Sequence, residues 1–167
     1  MATSCRKLNN KLKEVRLIMN NKQAIIFIGI QASGKSTYYH RYFGTYEHVN
    51  LDTLHTRNKE NLLLRECIRD EKSFVVDNTN PTSQDREKYI RLARDNGYSV
   101  YGYYFQSAIA ECMERNRLRE GKARVPDKAL ACTHSNLELP KLEEGFDKLY
   151  YVRIEDGKFV TEEWDDK

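Results

Sequence analysis

Residues 29–36 read Gly-Ile-Gln-Ala-Ser-Gly-Lys-Ser and satisfy the pattern G-x-x-x-x-G-K-(S/T) at every fixed position. The apolar run 24–28 precedes this stretch, and a segment compatible with a helix begins at Thr37. A strand before the pattern and a helix after it distinguish a phosphate-binding P-loop from a chance match. The alternative, a plain glycine-rich turn, leaves both flanking elements unexplained.

The residue types in this loop suit a phosphate cradle. Gly29 and Gly34 leave the backbone unobstructed, so consecutive N–H groups can surround an anion at the N-terminus of the next helix. Lys35 is spaced to reach the β- and γ-phosphates, and the Ser36 hydroxyl to ligate Mg²⁺. We therefore predict binding of a nucleoside triphosphate, ATP by default, with Mg²⁺. The predicted nucleotide contacts in this stretch are Gly29, Ala32, Ser33, Gly34, Lys35, Ser36 and Thr37.

Length and composition are typical of one globular domain. The chain has 167 residues, of which 40% are hydrophobic and 32% are charged, and its net charge is +3. No apolar run approaches the roughly 20 residues of a membrane span, and the N-terminus lacks the apolar core of a signal peptide. The four cysteines contain no C-x-x-C pair, so they read as reduced thiols. We predict an intracellular protein, cytoplasmic or nuclear, without membrane contact.

Two segments concentrate positive charge. Six basic residues and one acid lie between Arg6 and Lys22, where apolar residues recur at helical spacing over 5–20. We therefore divide the chain into an amphipathic basic helix at 1–22 and a P-loop domain at 23–167. Five basic residues and one acid lie between Arg115 and Arg124. Either run can contact phosphates, although a solvated helix face is the simpler interpretation of the first.

Strands and helices alternate along the domain. Strands are predicted at 24–28, 47–51, 73–76 and 98–105, with helices between them, and two late strands at 149–154 and 158–160. This alternation predicts an α/β fold of the P-loop NTPase type: a parallel sheet with helices on both faces. Helices at 108–119 and 127–135, the second capped by Asp127, flank a break at 121–126 and form a small helical lid.

Acidic residues follow two of the predicted strands at the edge where open α/β sheets bind ligands. Asp52 could accept a hydroxyl proton as a general base, or it could be a helix N-cap. Asp77 ends an apolar strand, where P-loop proteins place an acid that holds Mg²⁺; the segment that follows it could equally be a turn.

Two arginines suit a role in the lid. Arg115 and Arg119 are four residues apart and are predicted to share a helix face beside the break at Gly121. An arginine placed there could contact the donor phosphates and stabilise charge on the transferred group. The alternative is a pair of exposed arginines on a solvated helix.

Several motifs together resemble the polynucleotide 5′-kinase family, the kinase part of phage and animal polynucleotide kinase/phosphatase enzymes. The similarity covers about residues 24–155. The matching stretches are GIQASGKST (29–37), HVNLDTL (48–54), VVDNTNP (75–81), RNRLR (115–119), Val125-Pro126 and Glu144-Gly145-Phe146.

The resemblance implies a P-loop kinase that transfers the NTP γ-phosphate to the 5′-hydroxyl end of DNA or RNA in nucleic acid repair. It implies catalytic roles for Asp52, Lys35 and Arg119: Asp52 as the base, Lys35 on the phosphates and Arg119 as the lid arginine. It places Ser36 at the Mg²⁺ and makes Asp77 the strand-end acid of the site. Arg115 and Arg119 complete the donor contacts.

The sequence departs from the family at two points. Some members have an arginine three residues after the catalytic aspartate, where this chain has His55, and the nearest arginine is Arg57. The phosphatase signature D-x-D-G-T is absent from these residues, so a separate phosphatase or ligase partner, or a homo-oligomer, stays open. A kinase for a small molecule or an aminoacylated tRNA, and a nucleotide-binding regulatory module, remain the alternatives.

Overall fold

Six strands form the central sheet of the computed structural model, which describes residues 22–164. The strands are β1 (Gln23–Ile28), β2 (Glu47–Val49), β3 (Phe74–Val76), β4 (Ser99–Phe105), β5 (Lys148–Glu155) and β6 (Lys158–Glu163). Their spatial order is β2-β3-β1-β4-β5-β6. The first five are parallel and β6 is antiparallel to β5. The predicted parallel sheet is therefore confirmed, with an antiparallel strand added at one edge.

Six α-helices connect and cover the described strands. They are α1 (Lys35–Tyr42), α2 (Leu51–Leu54), α3 (Arg57–Arg69), α4 (Ser83–Asp95), α5 (Ile109–Arg117) and α6 (Asp127–Ser135). Two short 3-10 turns, Gly121–Ala123 and Leu142–Glu144, complete the described elements. The helix predicted at 5–20 lies outside the described residues.

Strand β1 lies at the centre of the fold and is buried on both faces. Ala24, Ile26 and Ile28 point to the face covered by α3 and α4. Ile25 and Phe27 point to the opposite face, where they pack against side chains of α1. Successive side chains of a strand alternate between faces, so an uninterrupted apolar run is what a strand between two helical layers requires. The predicted helices on both faces are confirmed.

The ends of three helices refine the sequence predictions. Strand β2 ends at Val49, two residues before the predicted end, because Asn50 caps α2 by accepting from the Thr53 N–H at 3.2 Å. Thr82 is the N-cap of α4 and forms a capping box with Asp85. The predicted Asp127 cap of α6 is wrong, because Asp127 is already helical. Its carboxylate there instead complements the helix dipole.

The lid packs directly over the P-loop. Ile30 and Ala32 of the loop form one apolar cluster with Cys112 of α5 and Leu130 of α6. No helix within residues 22–164 is long and apolar enough to cross a membrane.

Candidate active site

The P-loop follows β1 and has a backbone shape that its glycines allow. Gly34 has φ 101° and is the N-cap of α1, and Ala32 also lies at positive φ, 60°. A Cβ at position 34 would lie 3.0 Å from Cε1 of Phe159 on β6 and 3.2 Å from Cδ1 of Ile154 on β5. Gly34 is therefore required by both the dihedral angle and the close approach of the terminal hairpin.

Three contacts from other elements hold the loop in place. The Gly29 N–H donates to the Thr79 carbonyl at 3.0 Å, and the Ile30 N–H donates to the Ser107 hydroxyl at 3.1 Å. Nε of Arg115 donates to the Ala32 carbonyl at 2.8 Å. The loop is thus fastened from the segments after β3 and β4 and from α5, so its shape is set before any ligand binds.

Lys35 is buried beneath the loop with its ammonium facing the loop's own carbonyls. Nζ donates to the Gly29 carbonyl at 2.9 Å and to the Ile30 carbonyl at 2.7 Å. Burial lowers the pKa of Lys35 to about 8, against the opposing effect of Asp77. Arg119 lowers this pKa further and Asp52 raises it slightly, so both charges act on the ammonium. Ser33, whose hydroxyl lies 3.4 Å from Nζ, is buried beside it.

The first turn of α1 presents donors at the mouth of the loop. Ser36 and Thr37 are exposed there, and the N–H groups of the first turn have no acceptor within the helix. The Ser36 hydroxyl donates to Oδ2 of Asp77 at 2.7 Å. The structure therefore brings together the two residues that the sequence assigned to Mg²⁺, one from each of two neighbouring strand ends.

Asp77 is the buried acid of this site. Burial raises the pKa of its carboxyl, but hydrogen bonds from His48 and Ser36 and the charge of Lys35 outweigh that effect and hold the pKa below its usual value. Nε2 of His48 lies 2.9 Å from Oδ2 of Asp77, and its ring stacks on Tyr39 at 3.7 Å between centroids. The carboxylate is therefore ionised and oriented from several sides.

The Ser36 and Asp77 oxygens suit a hard cation. Within residues 22–164 no three His, Cys, Asp or Glu side chains are grouped so as to hold a metal by themselves. Mg²⁺ is commonly bound through one or two carboxylates together with water and substrate phosphates, so this donor set fits it. A buried ammonium, a glycine-shaped loop and free helix N–H groups likewise fit a polyphosphate.

Asp52 lies in the first turn of α2, exposed to solvent. The alternative that Asp52 is a helix N-cap is wrong, because Asn50 occupies that position. Nδ2 of Asn50 also donates to the Asp77 carbonyl at 2.8 Å, and the Leu51 N–H donates to Oδ1 of Asn78 at 3.0 Å. The aspartate is thus carried on a short helix that is attached to the end of β3 beside Asp77.

The DNTNP segment after β3 is more than a turn, since its residues hold several elements together. Asn78 donates to Glu60 of α3, and the Thr79 carbonyl accepts from the P-loop. Asn80, at φ 43°, donates to the Phe27 carbonyl at 2.8 Å. The Pro81 carbonyl accepts from Arg86 at 3.1 Å. Each contact fixes the loop that carries Asp77.

The late motif at 144–146 has a structural role. Arg86 is fully buried and forms two 2.7 Å bonds to the carboxylate of Glu144. Its remaining donors go to the Asn80, Pro81 and Glu138 carbonyls. Glu144 therefore stabilises the DNTNP segment through Arg86, at a distance from the P-loop.

The two lid arginines take different positions. Helix α5 ends at Arg117, so the prediction that Arg115 and Arg119 share a helix face is wrong: Leu118 is the C-cap and Arg119 lies beyond it. Arg119 is exposed, with Nη1 3.4 Å from the Ala123 carbonyl. Arg115 instead donates to the Ala32 carbonyl, so in this structure it stabilises the backbone of the P-loop.

His55 and Arg57 lie at the junction between the Asp52 helix and the first turn of α3. His55 ends α2 at φ 66°, and Arg57 begins α3 with its Nη1 bound to the carboxylate of Glu60. The Arg57 side chain is 59% exposed despite this bond.

Sequence reasoning did not identify His48, Ser107, Arg86 or Glu60 as members of this region. The histidine alone carried a signal, since a polar residue precedes Val49 within a strand of the HVNLDTL motif. Each of the others has a partner far away in sequence: Ser107 binds the Ile30 N–H 77 positions away, Arg86 binds Glu144 58 positions away, and Glu60 binds Tyr89 29 positions away.

The fold and this site define a P-loop nucleotide-binding protein of the kinase type. Residues 25–140 match the family AAA_33, described as an AAA domain, and the chain belongs to that family.

Two curated relatives extend the match. A bifunctional polynucleotide phosphatase/kinase of Schizosaccharomyces pombe is 30% identical over 149 residues, covering 86% of this chain and 36% of the relative. A putative bifunctional polynucleotide phosphatase/kinase of Acanthamoeba polyphaga mimivirus is 31% identical over 152 residues, with the same coverage. The chain thus spans about a third of the length of these relatives. The predicted resemblance to polynucleotide kinases is confirmed.

A solved structure shares the fold. Kti12 of Chaetomium thermophilum, solved in complex with ADP-AlF3, superposes with a TM-score of 0.62 at 15% identity, covering 80% of this chain and 90% of that one. At this identity the similarity concerns the fold alone.

Proposed function

We propose that this protein is a polynucleotide 5′-hydroxyl kinase that uses ATP or another nucleoside triphosphate with Mg²⁺. The observation that carries the proposal is the attachment of the Asp52 helix to the strand end that holds Asp77, beside the P-loop. One sheet edge therefore combines a loop that would hold phosphates, two oxygens that would hold a cation and a second, exposed carboxylate that would face an acceptor. The relatives, named as polynucleotide kinases, support a phosphotransferase with this class of acceptor.

The donor side follows from the loop. The N–H groups of Gly34 and the first turn of α1 would surround the β-phosphate, and the Lys35 ammonium would turn from the loop carbonyls towards the γ-phosphate. Ser36 and Asp77 would hold Mg²⁺, and the cation would supply positive charge to neutralise the phosphate oxygens. Arg119, exposed at the end of α5, would reach the donor phosphates from the lid.

The acceptor side follows from Asp52. Its carboxylate would accept the proton of the 5′-hydroxyl as that oxygen forms a bond to the γ-phosphorus and the nucleoside diphosphate leaves. Asp77 is less suited to this role, because its side chain is only 1% exposed and its Oδ2 already contacts His48, Ser36 and Asn50. Two carboxylates in one site thus have separate roles: the buried one for the cation and the exposed one for the proton.

The test is transfer of a labelled γ-phosphate to 5′-hydroxyl DNA and RNA oligonucleotides, compared with nucleosides and sugars. Asp52→Asn should lower kcat by about 10²- to 10⁴-fold, as expected for loss of a general base, and leave nucleotide affinity within a factor of about three. Asp95→Asn, an exposed carboxylate in the last turn of α4, is the matched control. Activity on sugars alone would favour the small-molecule alternative, and a fully active Asp52→Asn variant would exclude Asp52 as the base.

A further inference from the structure

A buried carboxylate lies beneath the helix that carries Asp52. Glu60 on α3 has no solvent exposure and accepts hydrogen bonds from four side chains. The donors are Tyr89 at 2.6 Å, Asn78 at 2.9 Å, Lys88 at 3.0 Å and Arg57 at 3.0 Å. Burial raises the pKa of Glu60, but the bonds from Tyr89, Lys88 and Arg57 outweigh it and hold the pKa below its usual value. Glu60 is therefore ionised and can only accept hydrogen bonds.

An ionised Glu60 decides which way the Asn78 amide points. Nδ2 of Asn78 donates to Oε1 of Glu60 and to the Tyr89 hydroxyl, while Oδ1 accepts from the Leu51 N–H at 3.0 Å. Turning the amide over would set its oxygen against the Glu60 carboxylate and its NH₂ against the Leu51 N–H. Both contacts would then be repulsive, so Glu60 selects the orientation that offers an acceptor to Leu51.

Leu51 is the first residue of α2, and this helix depends on its attachments. It has only four residues, which is far below the roughly 12 to 15 that an isolated helix needs in water. The Leu51 N–H donates to the Asn78 side chain and the Thr53 N–H to the Asn50 side chain, and Asn50 in turn donates to the Asp77 carbonyl. The Asn78 contact connects α2 to Glu60 of α3 and Tyr89 of α4, whereas the Asn50 contact connects it to Asp77.

From these contacts we infer that Glu60 and Asn78 are positioning residues for the catalytic carboxylate: Glu60 orients Asn78, and Asn78 holds the N-terminus of the helix that presents Asp52. This inference rests on the proposed function for its kinetic consequence only. Neither residue is among those proposed above to contact the donor or the acceptor. A displacement of about 1 Å in a reacting group can cost about 10²-fold in rate, so loss of this attachment should affect turnover more than binding.

The kinetic test is a double-mutant cycle between Asn78→Ala and Asp52→Asn. Alone, Asn78→Ala should lower kcat about 10- to 100-fold while donor Kd stays within about three-fold. In the Asp52→Asn background the same substitution should change kcat less than about three-fold, because the base it positions is already gone. Equal losses in both backgrounds would overturn the inference, since Asn78 would then act on another part of the site.

Lys88→Met is the matched control. Lys88 also contacts Glu60 and lies over the Tyr89 ring, but its side chain is 45% exposed and does not contact Asn78. Its kcat should stay within about two-fold of the parent, because Tyr89 and Arg57 still hydrogen-bond Glu60 and the path from Glu60 to Leu51 is intact. Glu60→Leu, which removes both acceptor oxygens at similar size, should behave like Asn78→Ala. If that variant does not fold, Tyr89→Phe replaces it in the double-mutant cycle with Asp52→Asn. This substitution removes the hydroxyl that donates to Glu60 at 2.6 Å and keeps the aromatic ring.

Hydrogen–deuterium exchange separates this inference from the proposed function. The amides of residues 51–54 should exchange at least about tenfold faster in Asn78→Ala than in Lys88→Met, whether or not the protein phosphorylates any oligonucleotide. Unchanged protection of this segment would overturn the inference even if the enzyme phosphorylates oligonucleotides. Faster exchange together with a wild-type protein inactive on every 5′-hydroxyl oligonucleotide would uphold the attachment and reject the proposed function.

Discussion

Replacing Gly34 by alanine tests whether the terminal hairpin shapes the P-loop. The residue has φ 101°, where an L side chain costs roughly 1–2 kcal/mol. The added Cβ would also lie 3.0 Å from Cε1 of Phe159 and 3.2 Å from Cδ1 of Ile154. Overpacking of this kind typically costs about 1–3 kcal/mol, and Phe159 is only partly buried and can yield by a few tenths of an ångström. We expect the free energy of unfolding of Gly34→Ala to fall by about 2–4 kcal/mol.

Urea unfolding of Gly34→Ala against Gly157→Ala measures this directly. Gly157 also has positive φ, 72°, but a Cβ there would meet no atom within 4 Å. The control should therefore show only the backbone cost of about 1–2 kcal/mol. Because Gly34 precedes the first turn of α1, the variant should also bind donor nucleotide more weakly, whereas Gly157→Ala should not.

Removing the Phe159 ring should recover part of the stability that Gly34→Ala loses. In the Phe159→Ala background the part of the Gly34→Ala effect that comes from Phe159 should disappear, leaving the backbone part and the 3.2 Å approach to Ile154. A Gly34→Ala variant no less stable than Gly157→Ala would refute the argument that the hairpin constrains the loop.

Three further predictions follow from the site. Donor affinity should fall as pH rises above about 8, where the Lys35 ammonium loses its proton. Without nucleotide, Lys35 should make the free energy of unfolding rise between pH 8 and pH 10.5, because in this range its side chain is protonated in the unfolded chain and neutral in the folded one. Lys35→Met should abolish this increase in urea unfolding curves measured across the same pH range. Arg119→Ala should lower kcat by up to about 10³-fold and more than Arg117→Ala, and equal losses in steady-state assays would indicate diffuse charge only. Glu144→Gln should cost about 3–5 kcal/mol in urea unfolding because it leaves the Arg86 charge buried, and a near-neutral result would mean that the carbonyl contacts of Arg86 suffice.

Much of the fold was predictable because its signals are local. The apolar run of β1, the glycines of the P-loop and the alternation of strands with helices each depend on neighbouring residues. The position of Asp77 was predictable for the same reason, since it directly follows the short buried strand 74–76. The helix boundaries were less accurate: the end of α5 at Arg117 removed Arg119 from the face it was predicted to share with Arg115.

The sequence by itself determined the P-loop, the α/β class and the two acids at neighbouring strand ends. Only the tertiary structure decided that Arg115 holds the Ala32 carbonyl, that His48 binds Asp77, and that Glu60 connects through Asn78 to the Asp52 helix. The physical reason is that β3 lies between β2 and β1 in the sheet although it follows both in the chain. This order brings together the ends of segments that are far apart in sequence. The periodicity of apolar residues can be read from the sequence, whereas a hydrogen bond between distant residues forms only when the folded chain brings them together.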